Sequence, residues 1–211
     1  MRQPPHPGVT ERVTRALIAA LGGLALAVPL SAAGPAPTAG LQRVPLLGRT
    51  LSFRLPAGFV QANNRNNGAN VLIEYVPRGE TLANWTRLVT IQAYRGLGAS
   101  PRTTADIARS AFYPAACRNG PIYRDGGEQA FAPGIKRSIV VNGCAALPPG
   151  AYPEALPGAG EQDFIMVFRD AQSIYTLNYA VRGAPFSGKQ PPIPVASAAA
   201  RLNEVFGNVT L

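Results

Sequence analysis

The sequence predicts an α+β fold, in which two main helices pack against a mostly antiparallel sheet of about six to seven strands. Apolar and polar residues alternate in many short segments after residue 46, which is the pattern of half-buried strands. Apolar residues recur at helical spacing in two segments, 104–113 and 195–206. Helices and strands are therefore segregated along the chain, which favours antiparallel pairing over a parallel sheet with alternating helices.

The first 33 residues have the features of a cleavable signal peptide. Arginines precede an uncharged apolar stretch, 16–30, which is shorter than the roughly twenty residues that a membrane-spanning helix needs. Small residues at 31–33 suit signal peptidase. We expect cleavage after Ala33, a periplasmic or secreted location and no transmembrane span in the mature protein. The alternative is an uncleaved anchor.

Residues 34–45 are predicted to form a flexible linker, and residues 46–211 a single domain. The linker prediction rests on the segment 34–40, which contains only Gly, Pro, Ala and Thr and has little apolar surface to bury.

The first half of the domain is predicted to begin with strands and a hairpin. Alternation over 51–55 predicts the first strand. The Asn-rich segment 63–68 is predicted as a turn or loop that leads into a second strand at 71–76. Thr81 is expected to cap a short helical turn that carries Trp85. A third strand around Val89 and the helix 104–113 follow.

The second half is predicted to contain four strands and the C-terminal helix. The strands are 122–131, 135–145, 163–169 and 173–182. The Pro- and Gly-rich segment between the second and third of these is predicted as a long irregular excursion.

The chain has two cysteines, Cys117 and Cys144. Because an even number of cysteines in an exported chain indicates disulfide bonding, these two are predicted to form the single possible bond. Their wide separation argues against a redox pair, which normally has the CxxC spacing.

The formal charge of +9 comes mainly from arginines that are scattered singly along the chain. Scattered arginines are typical of a solvated surface rather than of a groove for a polyanion, so no nucleic-acid partner is expected. The sequence has no phosphate-binding glycine loop and no cofactor motif, and no cofactor or metal is expected.

The composition excludes several catalytic mechanisms. The only histidine, His6, lies in the predicted signal peptide, so the mature protein cannot use Ser-His-Asp or Cys-His catalysis or a typical catalytic zinc site. Ser138 and Lys136 share a strand face, but a solvated lysine beside an ordinary serine is favoured over a nucleophilic pair. Glu161 and Asp163 also share a face. Exposed carboxylates that pair with arginines are favoured there over a glycosidase-type acid pair.

Residues 73–92 resemble uncharacterised secreted proteins of Gram-negative bacteria that share an EYxPxGET..NWT stretch. This resemblance makes Glu80, Asn84 and Trp85 the candidate functional segment, although Trp85 is expected to pack in the core. The order of elements is also similar to the Mog1/PsbP-like fold, a scaffold used for protein binding and assembly.

Two functions of different classes remain open on the sequence. The leading hypothesis is a non-enzymatic binding or assembly factor whose partner is an envelope protein or an anionic envelope component. The alternative is a histidine-independent hydrolase or lyase that uses carboxylate, Tyr or Lys groups.

Overall fold

The computed structural model describes residues 39–112, 117, 121–150, 158–187 and 189–211. These residues form ten strands and two α-helices. The strands are β1 (Gly40–Leu46), β2 (Arg49–Leu55), β3 (Phe59–Asn66), β4 (Asn70–Pro77), β5 (Arg87–Arg95), β6 (Pro121–Asp125), β7 (Gln129–Ala132), β8 (Ile135–Cys144), β9 (Gly160–Arg169) and β10 (Ser173–Gly183). The helices are α1 (Thr104–Phe112) and α2 (Ala198–Phe206), and a 3-10 turn, Val195–Ser197, precedes α2. The predicted signal peptide, 1–33, lies outside the described residues.

The main sheet has eight strands, and every pair of neighbours in it is antiparallel. Seven of them follow the order β3-β4-β5-β10-β9-β8-β6, and β7 pairs with β8 next to β6. β1 and β2 form a separate antiparallel pair. The α+β class and the antiparallel sheet are thus confirmed, with more strands than the sequence indicated.

The two helices pack on opposite faces of the main sheet, because alternate residues of each strand point to opposite sides. On β9, Phe164, Met166 and Phe168 join a core with α2 and the β1–β2 pair. Ile165 and Val167 instead join a smaller core with α1. We call these two sides the α2 face and the α1 face. The sheet therefore lies between two layers, with α2 and the β1–β2 pair on one face and α1 on the other.

Three sequence predictions differ from the structure in their boundaries. Residues 40–45 of the predicted linker belong to β1, because β2 supplies the hydrogen-bonding partner that the composition of this segment does not reveal. Most of the Asn-rich segment 63–68 is strand: β3 extends to Asn66, and the turn is confined to the residues around Gly68, which has φ of 83°. The predicted strand 122–131 is divided into β6 and β7 around Gly127, whose φ is 76°.

The cysteines lie at bonding distance on the α1 side. The Sγ atoms of Cys117 and Cys144 are 2.07 Å apart and the Cα atoms are 5.8 Å apart, which is the geometry of a disulfide bond. Within the described ranges, the structure has no helix with the length and apolar character that crossing a membrane requires.

Candidate functional site

The polar side chains of the candidate segment Glu80–Trp85 bind to each other. The Glu80 carboxylate accepts hydrogen bonds of 2.7 Å from both the backbone N–H and the hydroxyl of Thr86. The Asn84 side-chain oxygen accepts a bond of 2.7 Å from the backbone N–H of Thr81. The Thr81 hydroxyl accepts a hydrogen bond of 3.3 Å from the backbone N–H of Ala83, and the Thr81 carbonyl accepts one of 3.2 Å from the backbone N–H of Asn84, so Thr81 caps a single turn as expected. The Glu80 and Asn84 side chains are thus engaged in holding the turn.

Trp85 lies in the protein interior, as expected, and is only 4% exposed. It packs with Val76, Leu88 and Ala180 beneath the turn. The Arg182 guanidinium lies over its ring, 3.6 Å from the ring centroid. The turn therefore places an aromatic surface against a buried arginine, and this surface is closed to a ligand from solvent.

Glu161 and Asp163 share the α1 face, but both are buried rather than exposed. The prediction that they are exposed is therefore wrong, because β9 lies inside the main sheet between β8 and β10, and Trp85 packs over Arg182 beside Glu161. The prediction that these carboxylates pair with arginines is correct for Glu161, whose carboxylate lies 2.9 Å from Nη2 of Arg182. Arg182 is the partner of Glu161 on the neighbouring strand β10.

Asp163 has a different environment from Glu161. Its Oδ1 accepts a hydrogen bond of 2.9 Å from Nδ2 of Asn178. Burial raises the pKa of Asp163 well above the usual aspartate value, and the negative charge of Glu161 raises it further. Asn142 faces Asp163 across the β8–β9 pairing and is fully buried, and neither its side-chain nitrogen nor its oxygen has a hydrogen-bond partner among the residues that the structure describes. We call Asn142, Asp163 and Asn178 the inner polar cluster.

The other candidate pair, Ser138 and Lys136, is not assembled into a nucleophile. The Ser138 hydroxyl is buried and has no hydrogen-bond partner among the described residues. The Lys136 ammonium is exposed and bonds instead to the Glu128 carboxylate at 3.3 Å. Lys136 is thus directed to Glu128 rather than to the Ser138 hydroxyl that it would have to activate.

An open pocket of about 280 Å³ lies on the α2 face, between α2 and the β6–β7–β8 edge of the sheet. Its lining includes apolar side chains from β8 and from the segment 195–199, and it includes two arginines, Arg124 and Arg137. The lining residues used below are Arg124, Arg137, Ile139, Val141, Val195 and Ala199. We call this cavity the basic pocket. Its volume is just below the range of about 300 to 1,000 Å³ that is usual for small-molecule sites.

Strand pairing places both arginines on the same side of the sheet. Arg124 faces Val141 across the β6–β8 pairing, and Val141 belongs to the core on the α2 face. Arg137 precedes Val141 by four residues on β8 and therefore shares its face, with Ile139 between them. The Arg137 guanidinium stacks over the Phe131 ring, 5.3 Å from the centroid, which orients it at the pocket.

The positive charge of the basic pocket is not neutralised by the described residues. None of those that line it is acidic, and neither arginine forms a salt bridge with any other described residue. The nearest carboxylate in sequence, Asp125, faces the other side of the sheet and accepts a hydrogen bond of 2.8 Å from the Gly127 N–H. The pocket therefore favours a negatively charged group beside the arginines.

The sequence analysis did not identify Arg124 or Arg137, although the sequence contains a signal for the second. On β8, residues 135, 137, 139 and 141 have the same parity, and Arg137 is the only charged member of this otherwise apolar series. An arginine on the apolar face of a strand indicates a local opening to solvent. The opening itself depends on α2, which begins with three alanines whose short side chains leave space above the strands.

No family model and no curated protein matches this sequence. Within the described part of the chain, no three His, Cys, Asp or Glu side chains are grouped closely enough to hold a metal ion.

Proposed function

We propose that this protein is a non-enzymatic binding factor, exported by its signal peptide, that captures an anionic ligand in the basic pocket. The observation that carries the proposal is the pair of arginines, Arg124 and Arg137, which line a partly apolar cavity and form no ion pair with another described residue. Arginine is well suited to this task because its guanidinium stays charged and donates up to five hydrogen bonds to a carboxylate or phosphate.

Two further features agree with a binding factor that works outside the cytoplasm. The disulfide geometry of Cys117 and Cys144 is compatible with an oxidising compartment, such as the periplasm or the extracellular medium. The α+β architecture with its antiparallel sheet supports the further proposal that the fold is Mog1/PsbP-like, a scaffold that serves binding and assembly. The ligand we propose is an anionic component of the cell envelope.

The proposal is tested by locating the binding surface in solution. Sodium octanoate serves as the probe, and the ¹⁵N chemical shifts of the mature domain are followed during its addition. We expect the largest shifts at residues around Ile139 and Val141, and we expect the Arg124→Gln/Arg137→Gln variant to lose them. Arg78→Gln is the matched control, because Arg78 is exposed and does not line the pocket. Shifts on a different surface, or shifts that persist in the double variant, would refute the proposal.

The second candidate function is the histidine-independent hydrolase or lyase, and the raised pKa of Asp163 is the observation in its favour. A raised pKa favours the protonated form of a carboxyl group, which is the form that acts as a general acid, and the Glu161 carboxylate lies on the same face. Its weakness is access, since Asp163 is only 4% exposed. Asp163→Asn separates the two functions: the variant would abolish turnover by an enzyme, whereas a binding protein would retain its affinity for octanoate.

A further inference from the structure

Much of the lining of the basic pocket is apolar, which favours an anion that carries an apolar group. Ile139 and Val141 contribute apolar side chains from β8, and Val195 and Ala199 contribute them from the segment around the start of α2. A small hydrated anion beside the arginines would leave this apolar surface in contact with water. An apolar group attached to the anion would cover it, and the gain in free energy grows with the area that is removed from water.

The two positive groups of the pocket lie on either side of its apolar strand residues. Arg124 faces Val141 across the β6–β8 pairing, whereas Arg137 precedes Ile139 by two residues on β8. The Glu128 carboxylate near the β7 end is directed to Thr104, Lys136 and Arg169, and it does not line the pocket. A ligand with a negative charge at one end of an apolar chain can place the charge beside an arginine and the chain on the apolar residues.

The volume of the basic pocket limits the size of the apolar part. The volume of about 280 Å³ lies just below the range of about 300 to 1,000 Å³ that is usual for small-molecule sites, so a ligand held within the pocket is small. A two-chain lipid or a segment of polysaccharide would extend beyond it. We infer that the ligand of the basic pocket is a single-chain anionic amphiphile, with a carboxylate or similar head group beside the arginines and a short apolar chain against Ile139 and Val141.

This inference rests on the proposed function, and a chain-length series tests it separately. Acetate, butyrate, hexanoate, octanoate and dodecanoate carry the same head group, so only the buried apolar area changes among them. We expect affinity to rise about fourfold for each methylene, as burial of one methylene predicts, and to level off once the chain fills the pocket. Equal affinity for acetate and octanoate would overturn the inference, while loss of acetate and octanoate binding in Arg124→Gln/Arg137→Gln would still support the proposed function.

A pair of neighbouring substitutions tests where the chain lies. Ala199→Trp fills the pocket from α2, whereas Ala200→Trp places the same side chain on the adjacent residue, which is exposed and does not line the pocket. We expect Ala199→Trp to weaken octanoate binding at least tenfold with little effect on acetate, and Ala200→Trp to leave both unchanged. Equal effects of the two variants on octanoate would refute the placement of the chain.

Vesicles distinguish a free amphiphile from a lipid head group in a membrane. The mature domain is mixed with phosphatidylglycerol vesicles and sedimented, in parallel with the octanoate titration. Octanoate binding that is sensitive to Ala199→Trp, without sedimentation, supports the inference. Sedimentation without octanoate binding would overturn it, because the arginines would then act only through the surface charge of the membrane.

Discussion

The Arg182 guanidinium lies 3.6 Å from the centroid of the Trp85 ring and also contacts the Glu161 carboxylate at 2.9 Å. One buried arginine thereby links the turn of the EYxPxGET..NWT segment to the centre of the main sheet. The stacking and the ion pair both satisfy a charge that burial would otherwise penalise. The tryptophan of the segment is thus part of a structural unit with β9 and β10.

Removal of the Arg182 guanidinium is expected to lower the free energy of unfolding. Arg182→Met leaves the buried Glu161 charge without this partner, and we expect a loss of about 3 to 5 kcal/mol in the free energy of unfolding. Arg182→Met/Glu161→Met removes both charges at similar volume and is expected to recover much of that loss. Urea unfolding followed by circular dichroism measures both. A double variant at least as unstable as Arg182→Met would contradict this account.

Trp85 is the only tryptophan of the chain, so its fluorescence reports on one environment. We expect a blue-shifted emission that acrylamide and iodide quench poorly, because the side chain is almost completely buried. Trp85→Ala should lower the free energy of unfolding by about 3 to 5 kcal/mol, as truncation of large buried aromatics does. Octanoate binding at the basic pocket should be unaffected under conditions in which the variant is folded. A readily quenched, red-shifted emission from folded protein would show that the interior position is wrong.

The inner polar cluster predicts an unusual dependence of stability on pH. The pKa of Asp163 is raised in the folded state. The favourable contribution of Asp163 to the free energy of unfolding is therefore fully present below the ordinary aspartate pKa of 3.8 and is lost as the pH rises. Asp163→Asn keeps the shape and cannot ionise, so we expect it to stabilise the protein at pH 7 and to have little effect near pH 3.

Asp170 provides the control of opposite sign. Burial alone would raise its pKa, but hydrogen bonds from Arg49, Gln172, Ser173 and Tyr175 outweigh this effect and lower it. The contribution of Asp170 to the free energy of unfolding is therefore present above the ordinary aspartate pKa of 3.8 and is lost as the pH falls. We expect Asp170→Asn to destabilise the protein at pH 7. Urea unfolding at pH 3 and pH 7 measures the free energy of unfolding of both variants. If both substitutions change this free energy in the same direction at pH 7, the opposite pKa shifts assigned to Asp163 and Asp170 are contradicted.

The disulfide is expected to contribute to stability in a way that can be measured without a ligand. Cys117 and Cys144 are separated by 27 residues in sequence, and Cys117→Ala/Cys144→Ala should cost about 2 to 5 kcal/mol. The same loss is expected when the unmodified protein is unfolded in the presence of a thiol reductant. Intact mass before and after alkylation checks the bond, and two alkylated cysteines in the non-reduced protein would show that it is absent.

The sequence predicts the sheet better than the pocket, for physical reasons that differ between elements. β9 contains the continuous apolar run 164–168, β10 is rich in aromatic and β-branched residues, and a short turn joins them, so both strands and the hairpin follow from local pattern. β1 could not be predicted because its residues have a weak local preference and depend on pairing with β2. Pairing across strands also brings Arg124 and Arg137 to one face, and no local pattern contains that information.

The burial of Glu161 and Asp163 also could not be predicted from the sequence. Two carboxylates at alternate positions of a strand read as an exposed face, and only the neighbouring strands show that this face is interior. The arginine that neutralises Glu161 is 21 residues away in sequence. Long-range partners of this kind determine whether a charged residue lies inside, and composition gives no measure of them.

A crystal structure of the mature domain grown with sodium octanoate tests the central proposal most directly. We predict density for the carboxylate within hydrogen-bonding distance of Arg124 or Arg137, with the chain lying over Ile139 and Val141 towards Ala199. An octanoate molecule bound elsewhere, together with an unchanged basic pocket, would contradict the proposal that this cavity is the ligand site of the protein.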